Sequence, residues 1–339
     1  MRKFKIGNKN INSNSKSFII AEIGMNHNGN VDLCTEMIKS AAKSNADAVK
    51  LQTFKVDKFL NKNFTDFEER KKYEFSYKDY KTISSCAKDL ELDFFSTPLD
   101  NDSLDLLIDV GVDIIKIASS DLTNLPLLEK ISNSNKSIIF STGYSLPSEI
   151  HKAYETLKSN TASDIAILHC VASYPTSLKD INLNNIKYLK SSFPDSIIGF
   201  SDHSKDFDII CPSAVSMGAK IIEKHFTTDR NLPGYDHNMS LDPKMFSKMV
   251  ENIRKVEEAL GESRDKTGRI NTEKTRITNA RRSLYWSKNL NKGHKIEKSD
   301  LIPKRPGIGI PTYLSSQIIG LSIVKDVKDD TLIKYGQFE

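Results

Sequence analysis

The sequence predicts an α/β protein: a (β/α)8 TIM barrel followed by a small β-rich C-terminal domain. Three observations predict it. Eight short apolar, β-branched runs recur along the first two-thirds of the chain, and segments with helical spacing separate them. The last eighty or so residues change character, to short strand-like pieces broken by glycine and proline. Strands alternating with helices imply βαβ units and a parallel sheet. The 339 residues suffice for a barrel of ~250 residues plus an appendage. A doubly wound open sheet is the alternative reading of the same alternation.

The strand candidates are, in order, "SFIIAEIG", "ADAVKLQTF", "LDFFSTP", "VDIIKIASS", "SIIFSTG", "IAILHCVAS", "SIIGFSDHS" and "AKIIEKHF". They lack polar alternation, as strands covered on both faces do. Helical spacing appears in "VDLCTEMIKSAAKS", "YKDYKTISSCAKDLE", "NDSLDLLIDVG", "LPSEIHKAYETLKS" and "PKMFSKMVENIRKVEEALG". Residues 53–77 are too polar for core and read as an active-site loop. The barrel domain is expected over residues 1–261, a polar linker over 262–280 and the second domain over 281–339. That second domain is small enough to need a surface to dock on.

Composition excludes several classes. Forty-nine basic against 44 acidic residues give a formal charge of +5, which suits an anionic substrate but is far from a nucleic-acid signature. Cys34, Cys86, Cys170 and Cys211 form no C-x-x-C pair, so a thiol metal site or disulfide framework is not expected and a reducing cytoplasm fits. The polar start has no apolar core of a signal peptide, and no apolar run approaches the ~20 residues of a membrane span. "GMNHNGN" lacks a Lys-Ser/Thr ending and no G-x-G-x-x-G follows the first strand, so nucleotide folds gain no support.

Active sites of (β/α)8 barrels lie at the C-terminal strand ends. The residues there are Glu22; Lys50 and Gln52; Ser96 and Thr97; Lys116 and Ser119; Ser141 and Thr142; His169, Ser173 and Tyr174; Ser201, Asp202 and His203; and Glu223, Lys224 and His225. Any one of these has an ordinary explanation, such as a solvated lysine or a helix-capping hydroxyl. All eight strands ending in polar groups point to an inward polar ring. Lys50 and Lys116 would be costly to bury without an opposing anion or carboxylate. Lysines with several hydroxyls suit a phosphate or carboxylate ligand. His203 and His225 end neighbouring strands and can hold a divalent metal. Two imidazoles with oxygens completing the shell suit Mn²⁺, Mg²⁺ or Co²⁺ better than catalytic zinc.

"FIIAEIGMNHNG", "ADAVKLQTFK", "FFSTPLD", "IIKIASSD", "STGYS", "LHCVASYPT", "GFSDHS", "IIEKHFTTDRNLPGYDH" and "KRPGIGI" occur in order over nearly the whole chain. Together they resemble the sialic acid synthases, a family that includes the legionaminic and pseudaminic acid synthases. The second domain resembles that family's antifreeze-like (SAF) domain. The resemblance implies condensation of phosphoenolpyruvate with N-acetylmannosamine or a related 2-acetamido sugar, giving a nine-carbon keto acid and phosphate. It implies C–O cleavage, a divalent metal, and a domain-swapped homodimer. Carried over by position, it puts Lys50, Gln52, Thr97, Lys116, Ser119, Ser141 and Ser201 around phosphoenolpyruvate. His203 and His225 would hold the metal, and Glu22, Tyr174, Asp236 and Arg305 would meet the sugar, with Glu22, Tyr174 and Asp236 as the catalytic candidates. Three departures stand out: Ala172 where the family often has Asn, Tyr235 where its turn usually has Pro, and Asp121 where many relatives have Glu.

A metal-dependent pyruvate aldolase would use a similar carboxylate and metal site without releasing phosphate. A binding role for the basic stretch 281–305 rests on charge alone. "DRNLPGYDH" is closer to the sialic and legionaminic types than to the pseudaminic one.

Overall fold

In a computed structural model of the chain, which describes residues 3–7, 9–160, 163–261 and 268–339, eight parallel strands close into a barrel. They are β3 (Phe18–Gly24), β4 (Ala48–Thr53), β5 (Asp93–Pro98), β6 (Ile114–Ile117), β7 (Ser137–Ser141), β8 (Ile165–Cys170), β9 (Ile197–Asp202) and β10 (Ile221–His225). Each pairs with its sequence neighbour, and β10 pairs with β3 to close the ring. All eight coincide with the apolar runs. Their isoleucines and phenylalanines lie in one continuous core with the apolar faces of the surrounding helices.

The helices start where the sequence provides caps. Asn30 accepts from the Leu33 amide at 3.0 Å to open Val31–Lys43. Asp100 accepts from Ser103 at 2.8 Å to open Asn101–Val110. Ser76 and Asp79 form a reciprocal capping box at the start of Tyr77–Asp89.

Two features precede and interrupt the barrel. An antiparallel hairpin, β1 (Lys3–Ile6) with β2 (Lys9–Asn12), lies at the N-terminal ends of the strands. The Lys5 amide donates to Asp164, and Ser137 donates to the Lys5 carbonyl at 2.7 Å. Phe4 and Ile6 are fully buried there. The segment after β4, expected as a polar loop, folds on itself. Its short helices Val56–Phe59 and Phe67–Lys71 bury Phe54, Val56, Phe67 and Tyr73 against Met25.

The chain divides into two compact units, Met1–Glu262 and Ser263–Glu339. Residues 262–267 of the expected linker lie outside the described residues, whereas Asn271–Ala280 forms a helix. In the second unit β11 (Ser283–Trp286) pairs antiparallel with β12 (Leu301–Lys304). The unit has a core of its own, with Trp286, Ile296, Ile323 and Ile333 almost fully buried. Asp300 ties its loops together by accepting from Lys288 at 2.8 Å and pairing with His294 at 2.7 Å.

Candidate active site

Strand register decides which polar residues meet. Glu22 is level with Lys50, Gln52 with Thr97, and Ser201 with Glu223. Strand side chains alternate, so these rungs project to the same side of the barrel wall.

At the centre is a buried charge cluster. Lys50 Nζ lies 2.8 Å from Glu22 Oε2 and 3.9 Å from Glu223 Oε2, and donates to Thr97 Oγ1 at 3.0 Å. Lys116 Nζ donates to Ser141 Oγ at 2.7 Å and lies 3.8 Å from Glu223 Oε1. Ser201 Oγ donates to the same Glu223 oxygen at 3.0 Å. All of these side chains are buried.

Their protonation follows from burial set against near neighbours. Desolvation raises Glu22 to about 7, with the Lys50 ammonium pulling down and Glu223 pushing further up. Burial would raise Glu223 as well, but Lys116 and Lys50 together outweigh it and hold the carboxylate far below its ordinary range. Burial lowers Lys116, while on Lys50 the two glutamates overcome burial and raise it. The cluster therefore holds one firmly ionised carboxylate and one poised to exchange a proton near neutrality.

A second group surrounds Gly24, whose φ of +56° is the left-handed region that favours glycine. A Cβ there would sit 3.2 Å from Glu22 Oε1, 3.6 Å from Gln52 Nε2 and 3.7 Å from Asp236 Oδ2. Glu22, Gln52 and Asp236 thus converge on a space that only a missing side chain leaves open. Gly29 meets the Lys72 carbonyl in the same way: a Cβ would lie 1.9 Å from it, so the loop after β3 presses directly on the segment after β4.

The two imidazoles form the third group. The His203 and His225 rings lie 5.4 Å apart between centroids, with Tyr174 4.2 Å from His203 and 6.4 Å from His225. His203 Nδ1 pairs with the Val171 carbonyl at 2.9 Å, which leaves the far ring nitrogen for a ligand. His225 Nδ1 is buried without a hydrogen-bond partner, and Asp236 Oδ2 stands 3.8 Å away. Burial lowers the His225 pKa and so favours the neutral imidazole a metal requires. Among the described residues no cluster of three or more His, Cys, Asp or Glu side chains is placed to hold a metal. Two imidazoles, one of them with an orphaned nitrogen, fit a divalent ion whose remaining positions are taken by water and substrate oxygens.

The remaining sequence candidates are placed as follows. Ser119 Oγ accepts from the Gly143 amide at 3.0 Å and lies 3.5 Å from Cys170 Sγ. Asp121 caps its own turn, accepting from Ser120 and Asn124. His169 bonds the Ile181 carbonyl at 2.7 Å, a structural role. Arg305 follows β12 in the second unit.

Comparison with known proteins gives this geometry a lineage. Residues 37–265 match the NeuB family and residues 281–339 the SAF domain. The chain is 38% identical to the N,N'-diacetyllegionaminic acid synthase of Legionella pneumophila, over 96% of each chain. It is 37% identical to the enzyme of the same name from Campylobacter jejuni, over 94% of this chain and 99% of that one. The crystal structure of N-acetylneuraminic acid (sialic acid) synthetase from Leptospira borgpetersenii in complex with citrate superposes with a TM-score of 0.76. That match is at 37% identity and covers 81% of this chain and 95% of the other. The chain belongs to the NeuB family.

Two residues of this NeuB-family site were given no role from sequence, Glu223 being read only as one of the strand-end polar residues and Cys170 only as an unpaired cysteine. Glu223 is the common partner of both buried lysines, and "IIEKH" contained the signal: Glu223 and His225 are two apart and share a strand face. Cys170, level with Ser201 across β8 and β9, places its sulfur 3.8 Å from His203 Nδ1.

Proposed function

We propose that this NeuB-family chain condenses phosphoenolpyruvate with a 2-acetamido sugar of the N-acetylmannosamine type, releasing phosphate and forming a nine-carbon keto acid. The observation that carries the reading is the pair of buried ammonium groups, Lys50 and Lys116, beside two imidazoles at the C-terminal end of one barrel. Lys50 and Lys116, with the hydroxyls of Thr97, Ser141, Ser201 and Ser119 and the amide of Gln52, bind the carboxylate and phosphate and fix the enol carbon toward the sugar. His203 and His225 would hold a divalent ion, Mn²⁺ first and Mg²⁺ or Co²⁺ as alternatives, which supplies Lewis acidity to the sugar aldehyde. Asp236 and Tyr174 anchor sugar hydroxyls. Glu22 takes the proton from the water that enters the carbon losing phosphate, and its carboxyl, raised to about 7, suits that task.

Glu22→Gln keeps the shape and removes proton transfer. Calorimetry should find phosphoenolpyruvate still bound while turnover falls by roughly 10²-fold or more. The ionisation near neutrality should also vanish from the pH profile of kcat/KM. Near-normal turnover would remove Glu22 from this role.

A second reading, a 2,4-diacetamido sugar as acceptor, is favoured by the relatives named for N,N'-diacetyllegionaminic acid. A panel of acetamido sugars with phosphoenolpyruvate, the product identified by mass, separates the two acceptors.

The reading extends to a cytoplasmic homodimer in which the SAF domain of one chain caps the barrel of the other and Arg305 donates to the acetamido carbonyl. The family resemblance and the four free cysteines support it. After reversible dissociation, mixing His225→Ala with Arg305→Ala should restore activity, because a swapped hybrid collects both lesions in one site and leaves the other intact. Hybrids that form without activity would contradict the swap.

A further inference from the structure

The inward rungs of β9 and β10 carry the site: Ser201 opposite Glu223, then His203 near His225. Between them, one residue along each strand, Asp202 and Lys224 are direct register partners on the opposite face. Their side chains are essentially without solvent exposure. Lys224 Nζ lies 2.6 Å from Asp202 Oδ2 and donates to the Ser204 carbonyl, also at 2.6 Å. Asp202 in turn accepts from the Ser204 amide at 2.8 Å and from its hydroxyl at 3.0 Å. Behind the pair, Cys211 on the helix Ile210–Ser216 donates its thiol to Asp202 at 3.4 Å.

A buried ion pair is weak support for stability, since well-packed apolar residues often do as well. What it supplies is geometry. Asp202 and Ser204 flank His203, and Lys224 immediately precedes His225. The bonds from Lys224 to both flanks of His203 therefore link the backbones that carry the two imidazoles. With Val171 holding the His203 ring, the spacing of the imidazoles depends on this link.

We propose that Asp202 and Lys224 are positioning residues, an outward-facing clip that sets the separation of His203 and His225 for a divalent cation. The proposal rests on the reading of that histidine pair as the metal site. It assigns the clip no contact with substrate.

The test uses the full chain carrying the double substitution Asp202→Leu with Lys224→Met, which removes the clip without leaving an unpaired buried charge. Asp202→Asn serves as a milder variant that keeps the shape. Mn²⁺ alone is titrated and read by electron paramagnetic resonance, with thermal midpoints recorded in parallel and His225→Ala as the control. The expected result is a double variant that melts close to the parent yet binds Mn²⁺ roughly tenfold or more weakly. Asp202→Asn should lie between the two, and phosphoenolpyruvate binding without metal should change by less than about threefold on the same criterion. Parent-like Mn²⁺ affinity in the folded double variant would overturn the proposal. So would a loss of Mn²⁺ and phosphoenolpyruvate binding in step with melting, which marks a purely structural role. If the parent itself binds no Mn²⁺ at the pair, the metal reading fails. Imidazole C–H resonances of His203 and His225 then decide positioning alone: they shift in both variants if the clip sets ring placement, and unmoved resonances overturn it.

Discussion

His225→Ala is expected to lower turnover by roughly 10³-fold or more while leaving phosphoenolpyruvate bound, because Lewis acidity at the aldehyde is worth several kcal/mol of barrier. His225 Nδ1 is buried without a hydrogen-bond partner and the ring is held neutral by burial, so nothing in the fold depends on its bonding. The lysines proposed to grip the anion lie on β4 and β6 and are untouched by the change. Chelation should reproduce the loss in the parent chain, and added Mn²⁺ should reverse it there but not in the variant. Full turnover in excess chelator would contradict a metal role for the pair. Calorimetry with phosphoenolpyruvate, run beside the assay, separates lost catalysis from lost binding.

Lys50→Met carries the second large effect, on stability as well as activity. Lys50 is the ammonium that faces both Glu22 and Glu223. Without it, two buried carboxylates confront each other with Lys116 alone, and removing one partner of a buried ion pair costs about 3–5 kcal/mol. The sign with pH follows from linkage. Glu22 already titrates near 7 in the folded chain against an ordinary 4.5, and losing Lys50 raises it further. The folded variant therefore holds a proton that the unfolded chain releases. The part of its stability deficit that comes from Glu22 should be flat up to the parent's folded value of about 7 and grow as pH rises above it. Thermal melts from pH 4.5 to 8 measure this. A constant deficit across that range would show that Glu22 and Lys50 are not electrostatically coupled as described. Phosphoenolpyruvate use should also fall steeply, since the proposed charge-assisted contact to the anion would be lost.

Much of this site was legible because barrel strands are short and end in chemistry. The apolar runs gave all eight strands, but Glu223, Lys224 and His225 were read together as one inward group, although parity along "IIEKH" puts Lys224 on the other face. Lys224 and Asp202 could not be paired from sequence, because their contact depends on the register between β9 and β10. His169 looked equivalent to the other strand-end histidines, but it is one step out of phase with Cys170, which lies level with inward-facing Ser201. The helices Leu125–Ser132, Asn185–Ser192 and Ile210–Ser216 were not foreseen, since seven or eight residues hold too few turns for an apolar period to register. The segment after β4 looked wholly polar because its apolar residues are spaced irregularly and meet only when two short helices fold over Met25.

In the proposed function, the buried lysines, glutamates and histidines of one barrel end join phosphoenolpyruvate to an acetamido sugar with cleavage of the C–O bond. The most direct measurement is turnover of phosphoenolpyruvate carrying ¹⁸O in the bridging position, with products read by mass. Phosphate should appear only when the sugar is present, carry the label, and form in equal amount with the nine-carbon acid. Label retained in the keto acid, or a condensation that proceeds from pyruvate without phosphate, would contradict this function.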